Sequence, residues 1–181
     1  MSAAEFVVGN VGSRFTPRVS FGFLQPLIRR DFLEANGLRY NERNRFGEDF
    51  LFELACLMQG ARWRVTPEAM YRYFVRRDSA TETQSADDLR RIGEQEERLL
   101  RHDPRVASDP ALARALRRHK AVIDHFRDYR DFVDAVRARK SAAAMRLLLD
   151  GPRSFRHIAI ESLLQAPRIT AKALHGGYRS A

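Results

Sequence analysis

Residues 47–60 read GEDFLFELACLMQG and carry a regular apolar pattern. Large apolar side chains recur at positions 50, 51, 54, 57 and 58, which is the spacing of an amphipathic helix with one buried face. Gly60 supplies the stop signal, and two acids, Glu48 and Asp49, open the segment. The stretch therefore predicts a buried helix that begins with two carboxylates and contains Cys56 as a small buried hydrophobe.

The segments around that helix show a mixed pattern. Residues 21–28 form a short apolar run, 62–66 alternate, and 70–75 are aromatic and β-branched, so all three predict strands. Residues 29–36 predict a short helix that stops at an Asn-Gly pair, and residues 1–20 predict a loop or a short strand. The first part of the chain therefore predicts an α/β fold with a mixed sheet.

The pattern becomes helical near residue 85. Ser85 and Asp88 form a capping-box-like helix start. An Asp-Pro pair at 103–104 breaks that helix, and another at 109–110 starts a long one, with Asp as the N-cap and Pro at the first helical position. Shorter helices are predicted at residues 141–149 and 154–164. The chain is therefore predicted to consist of two parts, 1–84 and 85–181.

The positive charge of the chain lies in its C-terminal part. Residues 1–100 contain 15 Arg and 15 acidic residues, whereas residues 101–181 contain 17 basic and 8 acidic residues, so the net charge of +9 arises there. A basic helical tail favours polyanions, an anionic membrane surface or a protein partner. Nucleic acid is the least favoured of these, because no recognised motif is present and acids interrupt the long helix.

Several classes of protein do not fit the composition. No apolar run reaches the roughly 18 residues of a membrane-spanning helix, and the first ten residues lack the basic region of a secretory signal. With a single cysteine the chain cannot form an internal disulfide, which fits a reducing compartment. The expected location is the cytoplasm, including the inner face of the plasma membrane.

The acids that open the helix are the main candidates for chemistry. A carboxylate at a helix N-terminus is stabilised by the macrodipole and by free backbone N–H groups, and it can accept a proton from an incoming hydroxyl. The alternative is purely structural, because acids are preferred in first turns whether or not they are functional. Spacing alone favours the structural interpretation.

The order of several short motifs supports the functional interpretation. They are residues 25–33 (QPLIRRDFL), 37–42 (GLRYNE), 47–50 (GEDF), 60–64 (GARWR), 71–73 (YRY) and 76–79 (RRDS). Together they resemble the second half of glycosyltransferase family 2, in its bacterial exopolysaccharide, succinoglycan-type branch. The resemblance covers about residues 20–82, and the helical tail resembles that branch only loosely.

The resemblance implies a fold and a set of roles. The fold class would be a partial GT-A-like (Rossmann-like) mixed-sheet half domain, followed by a helical C-terminal region. Asp49 would be the catalytic base of an inverting transfer, and Glu48 would help to shape the acceptor pocket. Arg76 and Arg77 would contact the leaving diphosphate, a contact that suits the planar guanidinium group. The alternative for both arginines is a solvated basic loop.

The resemblance also implies a metal ion and substrates that this chain would not bind by itself. The complete family member binds a divalent metal (Mg or Mn) through an Asp-x-Asp-like motif in a nucleotide-binding half. This chain has no such half, and the acidic pair Asp87-Asp88 follows the Glu-Asp motif instead of preceding it. The expected partners are a nucleotide-sugar donor and a glycan or lipid-linked acceptor, with peripheral membrane contact through the tail. A truncated half domain is also expected to self-associate, because it leaves a sheet edge and an apolar face exposed.

Overall fold

A computed structural model describes residues 1–11, 21, 24–66, 68, 70–71, 85–149 and 159. Within these residues the regular elements are all helices. They are α1 (Ala3–Val11), α2 (Arg30–Ala35), α3 (Glu48–Met58), α4 (Ala86–His102), α5 (Pro104–Ser108), α6 (Pro110–Arg137) and α7 (Ser141–Leu149).

The predicted fold class is wrong, because the described residues contain no strand and therefore no mixed-sheet, Rossmann-like half domain. Residues 24–28 and 62–66 are irregular. Within 62–66 the Trp63 side chain packs against the core, and no strand among the described residues pairs with this backbone. A strand exists only when a partner satisfies its backbone, so an alternating pattern alone does not create one. Residues 72–75 of the third predicted strand lie outside the described residues.

Helix α1 occupies part of a segment predicted to be loop or strand. A reciprocal capping pair starts this helix: the Ser2 hydroxyl accepts from the Glu5 backbone N–H at 3.2 Å, and the Glu5 carboxylate accepts from the Ser2 N–H at 2.7 Å. Phe6 and Val7 on this helix are fully buried. The Phe6 ring packs against Phe50 with centroids 5.5 Å apart, which joins α1 to α3.

One apolar core joins four of the helices. Its fully buried members include Phe6 on α1, Leu54 on α3, Val106 on α5 and Leu116 on α6. Trp63 is partly buried and meets Phe6 edge-on, with ring centroids 5.1 Å apart. Burial of this apolar surface stabilises the position of α3. The first turn of α3 therefore belongs to a helix that is packed tightly against the core.

The helix boundaries confirm most of the local signals. Helix α2 ends before Gly37 (φ 61°), and α3 ends before Gly60 (φ 87°). The Ser85–Asp88 capping box is formed in both directions at the start of α4. Asp109 caps α6 by accepting from two backbone N–H groups at 3.0 Å, so Pro110 begins the long helix as predicted. Helix α7 matches the predicted 141–149, whereas 154–164 lies outside the described residues, apart from position 159.

Helix α4 supports the loop that leads into α3. The side chains of Asn44 and Gln95 exchange two hydrogen bonds, of 2.7 and 3.3 Å, and Arg91 donates to the Arg43 carbonyl at 3.0 Å. Gly47 caps α3 with φ 69°, and a Cβ there would lie 2.5 Å from the Ile92 side chain. Only glycine therefore accommodates both the backbone conformation and the close approach of α4.

The chain divides into two compact units, Met1–Asp124 and His125–Ala181. The predicted division into residues 1–84 and 85–181 rests on composition and resemblance, and it stays a prediction. In the first unit Lys120 pairs with Asp124 at 2.6 Å, and in the second Arg127 pairs with Asp128 at 2.9 Å. None of the described helices combines the length and the apolar character needed to cross a membrane.

Candidate functional site

The two predicted carboxylates lie in the first turn of α3. Glu48 and Asp49 are both partly exposed, while Phe50, the next residue, is buried in the core. Gly47 provides no side-chain cap, so the first backbone N–H groups of α3 have no N-cap side chain as a partner. The structure therefore places Asp49 where solvent and a ligand can reach it, on a helix that the core holds still.

Tyr40 orients the Asp49 carboxylate. Its hydroxyl donates a hydrogen bond of 3.2 Å to Asp49 Oδ1, and its ring stacks on Phe52 with centroids 4.1 Å apart. Partial burial, followed by the charge of Asp49, raises the pKa of Tyr40 to about 12. The phenol therefore stays a hydrogen-bond donor across the physiological pH range.

Glu53 lies one turn further along α3 and is only 2% exposed. Its Oε2 atom has no hydrogen-bond partner among the described residues. Burial, and then the negative charge of Asp49, raises the pKa of Glu53 to about 8. At pH 7 this carboxyl is mostly protonated, so it carries one O–H donor and one carbonyl acceptor.

A cavity of about 660 Å³ lies between α2, α3 and residues 60–63. Its apolar wall includes Phe32, Leu57 and Trp63, and Glu53 is the acidic residue of α3 that lines it. Asp49 is not part of this lining. Glu48 and Asp49 therefore lie about one helical turn from the cavity, and Glu53 lies between them and the cavity.

A second buried acid, on α4, is linked to α3 through His119. Glu96 on α4 is fully buried, and its Oε1 lies 2.5 Å from Nδ1 of His119 on α6. Burial raises the pKa of Glu96, and the hydrogen bond to His119 opposes that change. The His119 ring stacks on Phe50 with centroids 4.3 Å apart. This chain of contacts links α4 and α6 to the residue that follows Asp49.

The predicted site residues are only partly brought together. Glu48 and Asp49 share one turn, whereas Arg76 and Arg77 lie outside the described residues, so their predicted phosphate contact stays a prediction. Among the described residues, no three His, Cys, Asp or Glu side chains form a group that could hold a metal ion. Asp87 pairs with Arg90, and Asp88 is used in the capping box, so this acidic pair does not fit a metal site.

Two functional candidates have a sequence signal that the predictions did not use. Glu53 and Glu96 each occupy the apolar face of an amphipathic helix, Glu53 between Phe50 and Leu57 and Glu96 beyond Leu89 and Ile92. An acid at such a position is costly unless it is paired or protonated, which marks it for a special role. Tyr40 gave no signal of this kind, because its contact with Asp49 depends on the fold of the loop between them.

Protonation of Glu53 should make the stability of the protein depend on pH. The folded-state pKa of about 8 exceeds the ordinary value of 4.5, so the folded protein binds a proton that the unfolded chain releases between these values. We expect the free energy of unfolding to fall as pH rises through this window, by up to about 1.4 kcal/mol per pH unit, and to level off above it. Urea unfolding from pH 5 to 9 measures this slope.

Glu53→Gln should remove that slope, because the amide does not titrate. The exposed Glu94→Gln is the matched control on α4 and should keep the wild-type slope. Equal slopes in the wild type and in Glu53→Gln would show that Glu53 is ionised in the folded protein.

Two curated proteins are similar to this chain. The succinoglycan biosynthesis protein ExoU of Rhizobium meliloti (strain 1021) is 38% identical over 129 residues, which are 71% of this chain and 37% of ExoU. The succinoglycan biosynthesis protein ExoO of the same strain is 30% identical over an alignment of 184 residues. This alignment covers 100% of this chain and 51% of ExoO.

The chain spans about half, or less, of the length of these curated relatives. No protein-family model matches the chain. No solved structure matches it either. The predicted resemblance to a succinoglycan-type branch is therefore confirmed at the level of two succinoglycan biosynthesis proteins, and the similarity to ExoO includes the helical tail.

Proposed function

We propose that this chain is the acceptor-side, catalytic-base part of an inverting glycosyltransferase that acts in exopolysaccharide synthesis. The proposal rests on the position of the Asp49 carboxylate. This group is accessible, it accepts a hydrogen bond from Tyr40, and it lies on a helix that packs against the core. The similarity to two proteins of succinoglycan biosynthesis supports the choice of a polysaccharide product.

The proposed step is a single displacement. Asp49 accepts the proton of an acceptor hydroxyl as that oxygen attacks the anomeric carbon of the donor sugar. The bond from this carbon to the nucleoside diphosphate breaks on the opposite face, so the diphosphate leaves and the configuration inverts. The Tyr40 hydrogen bond fixes one carboxylate oxygen, which limits the orientations in which the base meets the hydroxyl.

The donor side of the reaction falls to residues beyond those described. Arg76 and Arg77 remain the candidates for the leaving diphosphate. The divalent Mg or Mn ion expected for the complete family would also be bound elsewhere, since the described acids do not form a site for it. When bound, such an ion neutralises charge on the leaving diphosphate.

The proposed partners follow from this role. They are a nucleotide-sugar donor and a glycan or lipid-linked acceptor, met at the cytoplasmic face of the plasma membrane, with peripheral contact through the basic tail. Self-association remains part of the proposal, but the sheet-edge part of its predicted cause does not hold for the described residues, because they contain no strand.

A transfer assay tests the proposal. The full-length protein, or this chain supplied with a nucleotide-sugar-binding half, is incubated with a panel of nucleotide sugars and a lipid-linked glycan, and ExoO serves as the positive control. We expect nucleoside diphosphate release and sugar incorporation with inverted configuration, both abolished by EDTA and restored by Mg or Mn. Retained configuration, or no incorporation from any donor while ExoO is active, would reject the proposed function.

A further inference from the structure

The cavity beside α3 contains a polar group that the proposed base does not use. Glu53 is 2% exposed and lines the cavity, and its Oε2 atom has no hydrogen-bond partner among the described residues. Buried polar atoms in folded proteins are nearly always hydrogen-bonded, because an unpaired one destabilises the fold. Because Glu53 lines the cavity, a ligand in the cavity, together with a small shift of this side chain, would supply the missing partner.

The chemistry of the lining restricts the class of ligand. The volume of about 660 Å³ falls within the range of about 300–1,000 Å³ that small-molecule sites have. Phe32, Leu57 and Trp63 form an apolar and aromatic wall, while Glu53 and Asn36 present polar groups. A sugar ring has the matching amphipathic character, with an apolar C–H face and hydroxyl groups at its edge.

The lining of the cavity lacks the cluster of cations that a diphosphate needs. Arg29 lies at the lining but pairs with Asp31, which also lines the cavity, so these two charges cancel locally. Arg62 is the remaining cation of the lining, and it is exposed. Glu53 is uncharged while it is protonated, so a neutral ring fits this lining better than a nucleoside diphosphate, which is usually held by several positive groups.

We propose that this cavity binds a neutral sugar ring of the acceptor glycan, with Glu53 hydrogen-bonded to one of its hydroxyl groups. The assignment of that sugar to the acceptor rests on the proposed function, whereas sugar binding itself does not. Glu53 would then determine which acceptor ring is accepted, because a ring without a hydroxyl at that position leaves the buried carboxyl unpaired.

Trp63 allows binding to be measured directly, because it is the single tryptophan of the chain and lines the cavity. The 181-residue chain is titrated with neutral oligosaccharides obtained by hydrolysis of succinoglycan, and separately with uridine diphosphate. At pH 6.5 to 7 we expect a saturable change in tryptophan fluorescence with the oligosaccharides at millimolar concentrations, and none with uridine diphosphate.

The pH dependence and two variants identify Glu53. Affinity should change as the pH rises through about 8, because the protonated carboxyl both donates and accepts a hydrogen bond whereas the ionised carboxylate only accepts. Glu53→Gln keeps a neutral donor and acceptor, so it should bind within a few-fold of the wild type and without this pH dependence. Glu53→Leu should bind at least about tenfold more weakly, whereas the exposed Glu34→Leu on α2 should bind normally.

The outcomes separate this inference from the proposed function. It is overturned if no neutral oligosaccharide changes the fluorescence, if uridine diphosphate binds more tightly than the sugars, or if Glu53→Leu binds like the wild type. It is also overturned if Glu53→Gln keeps the pH dependence, a test that remains available should Glu53→Leu fail to fold. The same titrations on Asp49→Asn should still show binding, so loss of transfer and loss of binding are distinguishable.

Discussion

Replacing Asp49 with Asn should lower kcat for sugar transfer by about 10²–10⁴-fold, which is the usual contribution of a positioned general base. Asparagine has nearly the same size and can still accept the hydrogen bond from Tyr40, but it cannot take the proton of an acceptor hydroxyl. Asp49 is partly exposed, and its neighbour Phe50 provides the core contact, so the fold should be retained. Steady-state kinetics with saturating donor, beside circular dichroism of the variant, measures both effects.

Two further variants make the base assignment specific. Asp87→Asn changes an exposed aspartate in the first turn of another helix, α4, and should leave kcat unchanged. Tyr40→Phe removes the hydroxyl that orients Asp49 and keeps the ring that stacks on Phe52, so kcat should fall only several-fold. Tyr40 is a positioning residue, so its loss should lower kcat while the KM for the acceptor changes little.

The kinetic pattern distinguishes a base from a binding group. An effect of Asp49→Asn confined to KM would mean that Asp49 holds the acceptor without accepting its proton. Normal turnover would remove the base assignment altogether. In either case the proton acceptor would have to be sought elsewhere, and Glu48, in the same turn of α3, would be the first residue to test.

Local signals predicted the helices well because the residues that decide a helix end lie within one turn of it. The Ser85–Asp88 box, the Asp109 cap and the Gly60 stop all operate over three or four positions, and all three are present. The same rule was available for Ser2 and Glu5, whose spacing is that of a capping box. The sequence therefore contained the signal for a capped helix in a segment that was predicted to be loop or strand.

The strands predicted within the described residues were wrong because a strand is defined by a partner far away in sequence. Residues 62–66 alternate, but Trp63 meets Phe6 of a helix, and none of the described residues forms a strand with which this backbone could pair. The candidate site shows the same division between local and distant contacts. The first-turn position of Asp49 was predictable, whereas its hydrogen bond to Tyr40 spans nine residues and the Glu96–His119 pair spans 23.

His119→Ala should destabilise the protein by at least about 1–3 kcal/mol, which is the usual cost of leaving a buried polar group without its hydrogen-bond partner. Glu96 is fully buried and its Oε2 already lacks a partner among the described residues, so losing His119 would leave Oε1 unpaired as well. The variant also removes the ring that stacks on Phe50. Urea unfolding at pH 7 measures the change against His102→Ala, an exposed histidine on α4 that should shift stability by less than about 0.5 kcal/mol.

A double variant identifies the interaction whose loss causes the destabilisation. If the cost is the unpaired buried acid, the double variant Glu96→Leu with His119→Phe should be far more stable than His119→Ala, because apolar groups of similar size need no partner. If the double variant is equally unstable, packing of the imidazole on Phe50 dominates instead. A change of less than about 1 kcal/mol in His119→Ala itself would mean that Glu96 is satisfied without the histidine. The pair would then not be what holds α4 and α6 against the residue that follows Asp49.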